Sequence, residues 1–243
     1  MTQPVKSLRR TPLLLLTLLL ACCSIVYELL LAQSLAVTLG NTFLRYNVTI
    51  GLYLASLGLG ALLCSRTKPG DRLLRLIDVE LALALLGALS PVLVLCWNMA
   101  ACRAAAALGL PLTGLFYGLA VNAFDHSLIV VIGLLSGFEL PLLMQLSGDR
   151  ANQVLAVDYA GTFVGALLFP LVLLPYLGVL TAAVLIGAVN ALCGLYLLFT
   201  EQCRPSALRL GAYGGALALM AALFSCREAL HQVLSAGLIN CRP

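Results

Sequence analysis

The stretch GFELPLLMQ, residues 137–145, sets a carboxylate, Glu139, inside a run that otherwise reads as membrane-spanning. A near-copy, VYELLLAQ at residues 26–33, sets Glu28 in the same frame. How these two segments are read decides the fold class. An acid at the middle of a hydrocarbon layer costs about 2.5 kcal/mol or more, so it is kept only where a helix bundle receives it in its interior.

The composition around them points the same way. The 243 residues are 62% hydrophobic and only 10% charged, with a mean hydropathy of +1.05, outside the range of a soluble domain. Apolar stretches of roughly 20 residues, enough to cross a hydrocarbon core as helices, recur at about 12–38, 46–65, 77–99, 106–124, 127–147, 152–176, 178–200 and 206–226. The expected fold is all-α: a polytopic helical membrane protein of about eight transmembrane helices. A seven-helix reading stays open because Pro111 and several glycines interrupt the fourth stretch. The expected organisation is a cytoplasmic tail at 1–11, a transmembrane domain at 12–226 and a short C-terminal tail at 227–243.

The first stretch follows Lys6, Arg9 and Arg10 and could pass for a signal sequence. It is too long for that, and it carries Tyr27, Glu28 and Gln33, so it reads as a retained helix. Eight crossings leave most Lys and Arg on the side of the N-terminus, which predicts a multi-pass bacterial inner-membrane protein with both termini in the cytoplasm. The net charge of +4 then reflects topology and contact with the lipid bilayer, with no nucleic-acid partner. The nine cysteines form no CxxC pair and read as small packing residues. With His126 and His231 the only histidines, neither a metal nor another cofactor is expected.

Aligning Glu28 with Glu139 brings Gly51 opposite Gly161 to within one position, which allows an internal duplication of four helices plus four in parallel orientation. Gly51, Ala55, Ser56, Gly58 and Gly60, and the GxxxG frame of Gly161 and Gly165, read first as close-packing faces. A ligand path beside them is the second reading.

Five carboxylates fall within or at the edge of the predicted spans, whereas every Lys and Arg lies in a loop, a tail or near a span end. Asp78 and Glu80 open the third helix, where they offset the positive helix end and can pair with Arg72 and Arg75, forming a cytoplasmic mouth. Asp158 is placed toward the outer side. Glu28 and Glu139 lie near mid-membrane with no basic neighbour in sequence. Tyr27 and Gln33 accompany the first, and Pro141 frees the Gly137 carbonyl beside the second. Two readings remain open. Glu28, Glu139, Asp158, Tyr27 and Gln33 ligate a small cation or a proton, or the two central acids are neutral and hydrogen-bonded between helices.

The segments VYELLLAQSLAVTLG, TIGLYLASLGLGALL, LIDVELALALLGALSP, GFELPLLMQL and VLAVDYAGTFVGALLFPLVLLPYLG, in this order, span most of residues 20–200. Together they resemble the membrane region of the spermidine synthase-like family of polyamine aminopropyltransferases. In that family a multi-helix membrane region precedes a cytoplasmic catalytic domain with a glycine-rich loop. The resemblance implies a polyamine as the small cationic ligand. Only REALHQVLSAGLINCRP follows the last stretch, and no glycine-rich loop after a strand, nor any Ser or Cys with a paired base, is visible. The sequence therefore predicts a non-enzyme, either a polyamine carrier or the membrane partner of a separate soluble aminopropyltransferase or membrane complex. The alternative is a membrane anchor or scaffold subunit with no transport activity.

Overall fold

A computed structural model describes residues 10–66, 68, 71–112, 114–200, 206–230 and 232–233. Most of the expected N-terminal tail, and residues 234–243 of the C-terminal one, lie outside the described residues. Among the described residues there are seven long helices and no strand. They are α1 (Arg10–Leu39), α2 (Thr42–Cys64), α3 (Arg72–Ala107), α4 (Leu115–Leu146), α5 (Ala151–Leu168), α6 (Gly178–Thr200) and α7 (Ala207–Ser225).

Six segments are long and apolar enough to cross a membrane, and one of them, Gly148–Thr200, contains both α5 and α6. Between the two lies a widened, π-type segment, Phe169–Leu177. Pro170 and Pro175 lack an N–H, so the ordinary i→i−4 ladder cannot run through them and a wider register takes over. The chain then doubles back at Gly178, whose φ of 72° is open to glycine at no steric cost. The reversal is visible in the packing. Gly165 lies against Cys22, while Cys23 reaches the Ile186 carbonyl at 3.9 Å.

Seven helices replace the expected eight. Residues 106–124 do not form a span: Gly109, with φ 65°, and Pro111 belong to a turn, and the chain from Leu115 onward joins the fifth stretch in one 32-residue helix. Asp125 and His126, which read as a short loop between two spans, are satisfied inside that helix together with Asn122. Arg45 Nη1 donates to Asn122 Oδ1 at 2.7 Å and Asn122 Nδ2 to the Gly118 carbonyl at 2.7 Å. Asn98 Nδ2 donates to Asp125 Oδ2 at 3.2 Å, and His126 Nδ1 stands 2.6 Å from the Asn122 carbonyl.

α1, α3, α5 and α7 run in one direction and α2, α4 and α6 in the other. The ends at Arg10 and Ser225 therefore lie on opposite faces of the bundle, not on one face as eight crossings require. The parallel pairs α2 with α4 and α1 with α5 meet through glycine. A methyl group added at Gly60 would fall 2.9 Å from Gly137 Cα and also strike the Leu134 carbonyl, and one at Gly161 would fall 2.9 Å from Ala21 Cβ. α3 packs antiparallel on α6, where a methyl at Gly187 would stand 2.7 Å from Ala88 Cβ. These pairings run α1–α3 and α4–α6 in opposite senses, so the parallel four-plus-four duplication is not supported.

One core cluster joins Leu13, Leu16 and Leu20 to Leu76, Ile77, Leu142 and Leu197 near the start of α1. A second gathers Tyr27, Leu30, Leu83, Ile129, Ile132 and Phe169 toward the other end. Large apolar side chains cover the outward faces, among them Phe43 at 82% exposure and Tyr176 at 80%, a surface that water does not reward. Arg10, Arg66, Lys68, Arg72, Arg75, Arg150 and Arg209 lie at the end where α1 begins, against Arg45, Arg103 and Arg227 at the other. Most described cysteines are free, as packing residues are, but Cys102 is disulfide-bonded.

Gly137→Val should separate α2 from α4 and lower the unfolding midpoint in detergent, at a cost of about 1–3 kcal/mol or more for overpacking. Gly58→Ala, which meets nothing within 4 Å, should leave the midpoint unchanged or slightly raised. Equal midpoints for the two variants would show that the glycine seam does not hold these helices together.

Candidate functional site: a buried carboxyl cluster

The centre of the bundle is polar. Helical spacing puts Glu80, Leu83, Ala84 and Gly87 on the inner face of α3, and Ala183, Gly187, Asn190 and Gly194 on the inner face of α6. All of these except Gly87, Gly187 and Gly194 are given as buried at 0% exposure. The glycines let the two helices close, and they close around Glu80. Asn190 Nδ2 donates to the Glu80 carbonyl at 3.0 Å and to Glu80 Oε2 at 2.9 Å.

From α4, Glu139 brings its carboxyl group against that of Glu80, close enough for a side-chain hydrogen bond. From α1, Tyr27 lays its ring flat on Gly87, where no Cβ could fit, and its hydroxyl stands within electrostatic reach of both acids. Four buried oxygens, Glu80 Oε1, Glu139 Oε1, Asn190 Oδ1 and the Tyr27 hydroxyl, receive or make no conventional hydrogen bond. Two ionised carboxylates are acceptors only and cannot bond to each other, so their contact requires a proton or another donor between them. Next to this group Tyr53 ties three helices together. It stands 2.8 Å from Ser136 Oγ on α4, and 3.1 Å from both the Ser24 hydroxyl and the Ser24 carbonyl on α1.

The residues expected to act as ligands are not all brought together. Glu139 and Tyr27 belong to the cluster. Glu28 is buried at 5% exposure but lies toward Tyr53 and does not meet Glu139. Gln33 accepts from the Tyr46 hydroxyl at 2.6 Å, a tie between α1 and α2 nearer the far end. Asp158 is half-buried and within electrostatic reach of Glu139. Because α5 runs parallel to α1, Asp158 approaches from the cation-rich end and not from the opposite one.

Asp78 and Glu80 do not form a shared mouth. Two residues apart on a helix, they face opposite ways. Glu80 is buried in the centre, while Asp78, half exposed, receives Arg209 Nε at 2.7 Å and Nη2 at 2.9 Å in a two-pronged ion pair. Arg209 on α7 takes the role that sequence proximity gives to Arg72 and Arg75. The sequence reading passed over Asn190, although it is the one amide in TAAVLIGAVNALCGLYLLF and follows Glu80 by 110 residues. Among the described residues no group of three metal-ligating side chains occurs.

The chain is similar to several known proteins. The chain is 33% identical over 198 residues to polyamine aminopropyltransferase 2 of Ralstonia nicotianae, an alignment covering 77% of this chain and 35% of that protein. It is 32% identical over 228 residues to polyamine aminopropyltransferase 1 of Streptomyces coelicolor, covering 87% of this chain and 38% of the relative. The polyamine aminopropyltransferase of Leptospira interrogans is 29% identical over 212 residues, covering 82% and 38%. The chain thus spans rather more than a third of the length of the curated relatives it matches. No protein-family model matches it, and no solved structure does.

These relatives overturn the functional expectation drawn from the sequence. A carrier or non-enzymatic membrane partner, read from the interior carboxylates and the missing catalytic motifs, and a transport-free anchor or scaffold are all set aside, since the relatives are named as aminopropyltransferases, which are enzymes.

The buried and exposed polar links to α7 should differ in weight. Tyr213, at 0% exposure, donates to the Ile77 carbonyl at 2.6 Å. Tyr213→Phe removes this second bond to a carbonyl that its own helix already engages, and should lower stability by about 1 kcal/mol. Asp78→Asn, at a solvent-screened pair, should cost less than about 1 kcal/mol. Thermal unfolding of the two variants in one detergent checks the order, and a larger loss for Asp78→Asn would contradict it.

Proposed function

We propose that the chain works in polyamine aminopropyl transfer, as an enzyme of the polyamine aminopropyltransferase kind held in the inner membrane by the seven-helix bundle described here. The observation that carries this reading is the extent of similarity: about a third of positions identical across 77–87% of the chain to proteins bearing that name. The bundle is consistent with it. Its apolar outer faces and the gathering of cations at one end support a membrane position with the start of α1 in the cytoplasm. Its interior is built from the central acids, Glu80 and Glu139, held between α3, α4 and α6.

The finer form of this reading is that these residues make up the membrane region of such an enzyme, with the aminopropyl acceptor a diamine or polyamine. Membranes from cells overproducing the gene product should transfer an aminopropyl group to a diamine acceptor at least several-fold faster than membranes carrying an empty vector. The activity should stay with the membrane pellet after an alkaline wash. Transfer no faster than the vector background with any diamine or polyamine acceptor would overturn the proposal. Activity released entirely into the wash would overturn the membrane part of it.

A further inference from the structure

The carboxyl cluster at the bundle centre assigns a ligand of its own. Glu80 and Glu139 meet at hydrogen-bonding range with no base beside them. The titratable groups that face them come from every neighbouring helix. They are Cys23 and Tyr27 from α1, Tyr53 from α2, Asp158 from α5, Cys193 from α6 and Tyr213 from α7. None of these is a lysine, arginine or histidine, so among the described residues no positive charge faces the pair.

Two further side chains, each at 0% exposure, point to what is wanted there. Asn190 spends both of its donor contacts on Glu80 and leaves Oδ1 without a partner, while Tyr27 holds an unpartnered hydroxyl near both acids. Buried oxygens without partners are rare in folded proteins because each loses its water and gains nothing. One unpartnered oxygen on each carboxyl group, with the Asn190 Oδ1 and the Tyr27 hydroxyl beside them, describes a site short of a proton between the two acids. The space is closed by Gly87 packed on the Tyr27 ring and by Gly187 packed on Ala84 and Ala88. The ligand must therefore be very small.

We propose that Glu80, Glu139, Asn190 and Tyr27 form a binding site for one exchangeable proton, shared between the two carboxyl groups. The proton turns an acceptor–acceptor contact into a hydrogen bond, removes one of two like charges and leaves a single negative charge, which the Asn190 amide stabilises from one side. Both carboxyl groups come from central helices, so proton uptake or release there would alter how α3, α4 and α6 fit together. The site is separate from any aminopropyl chemistry, and it is tested by a readout that does not depend on transfer activity.

Infrared spectroscopy of the purified protein in lipid, with glutamate carboxyl groups labelled with carbon-13, reads the shared proton directly. The wild type should show a protonated-carboxyl band that moves in deuterium oxide and is unaffected by sodium or potassium. The double variant Glu80→Gln, Glu139→Gln should lose that band while bands from other acids persist. Tyr27→Phe, which preserves the ring on Gly87, should shift its frequency, and this variant keeps the test open if the double variant does not fold. The proposal is overturned if no band is lost in the double variant, if Tyr27→Phe leaves every band in place, or if sodium or potassium abolishes the wild-type band by taking the site.

Discussion

The bundle is organised around the burial of the Glu80 carboxyl group where α3, α4 and α6 meet. Moving a carboxyl group out of water costs several kcal/mol unless hydrogen bonds replace its hydration, and a helix cannot swing one side chain back to solvent without rotating its neighbours as well. Glu80 is met by the Asn190 amide on one side and the Glu139 carboxyl on the other, which ties three helices to one rotational setting. The apolar side chains around it, Leu83, Ala84, Ile132 and Ala183 among them, would pack nearly as well in other settings. The polar centre therefore selects one arrangement, in the way that a single buried polar residue fixes register in a coiled coil.

Glycine and alanine make that selection possible by letting the helices come close enough for short side chains to meet. Asn190 reaches Glu80 because Gly187 rests against Ala84 and Ala88 on the same interface. Glu139 lies two residues from the Gly60–Gly137 crossing that draws α2 against α4. In a chain whose surface is apolar, close van der Waals contact and interhelical hydrogen bonds are the main sources of helix–helix affinity. Here they occur within a turn of each other.

Much of this could be read from the sequence, and the failures have physical causes. The helical class, the close-packing role of Gly60, Gly161 and Gly165, and the interior position of Glu139 followed from composition and spacing. The count of eight did not hold, and the seven-helix alternative that Pro111 and its neighbouring glycines kept open is the one observed, because Asp125 and His126 look like a loop between spans until Asn98 and the Asn122 carbonyl meet them. Glu80 was misplaced for a related reason: two residues separate it from Asp78, and only the rotation of α3 shows that one acid faces Arg209 and the other the core. The parallel duplication suggested by the Glu28 and Glu139 motifs failed because α1 and α4, which carry them, run in opposite directions, which similarity between short motifs cannot reveal. The expectation of a non-enzyme was overturned by relatives named as enzymes, because the absence of a motif is weak ground for excluding an activity.

The claim that the Glu80–Glu139 contact fixes the arrangement of the central helices is tested most directly by a double-mutant cycle. Reversible unfolding in detergent would be measured for the wild type, Glu80→Gln, Glu139→Gln and the double variant. If the contact holds the helices in register, the two substitutions couple by on the order of 1 kcal/mol or more. Additive effects, with no coupling beyond experimental error, would mean that the two acids merely share a space and that apolar packing alone sets the fold.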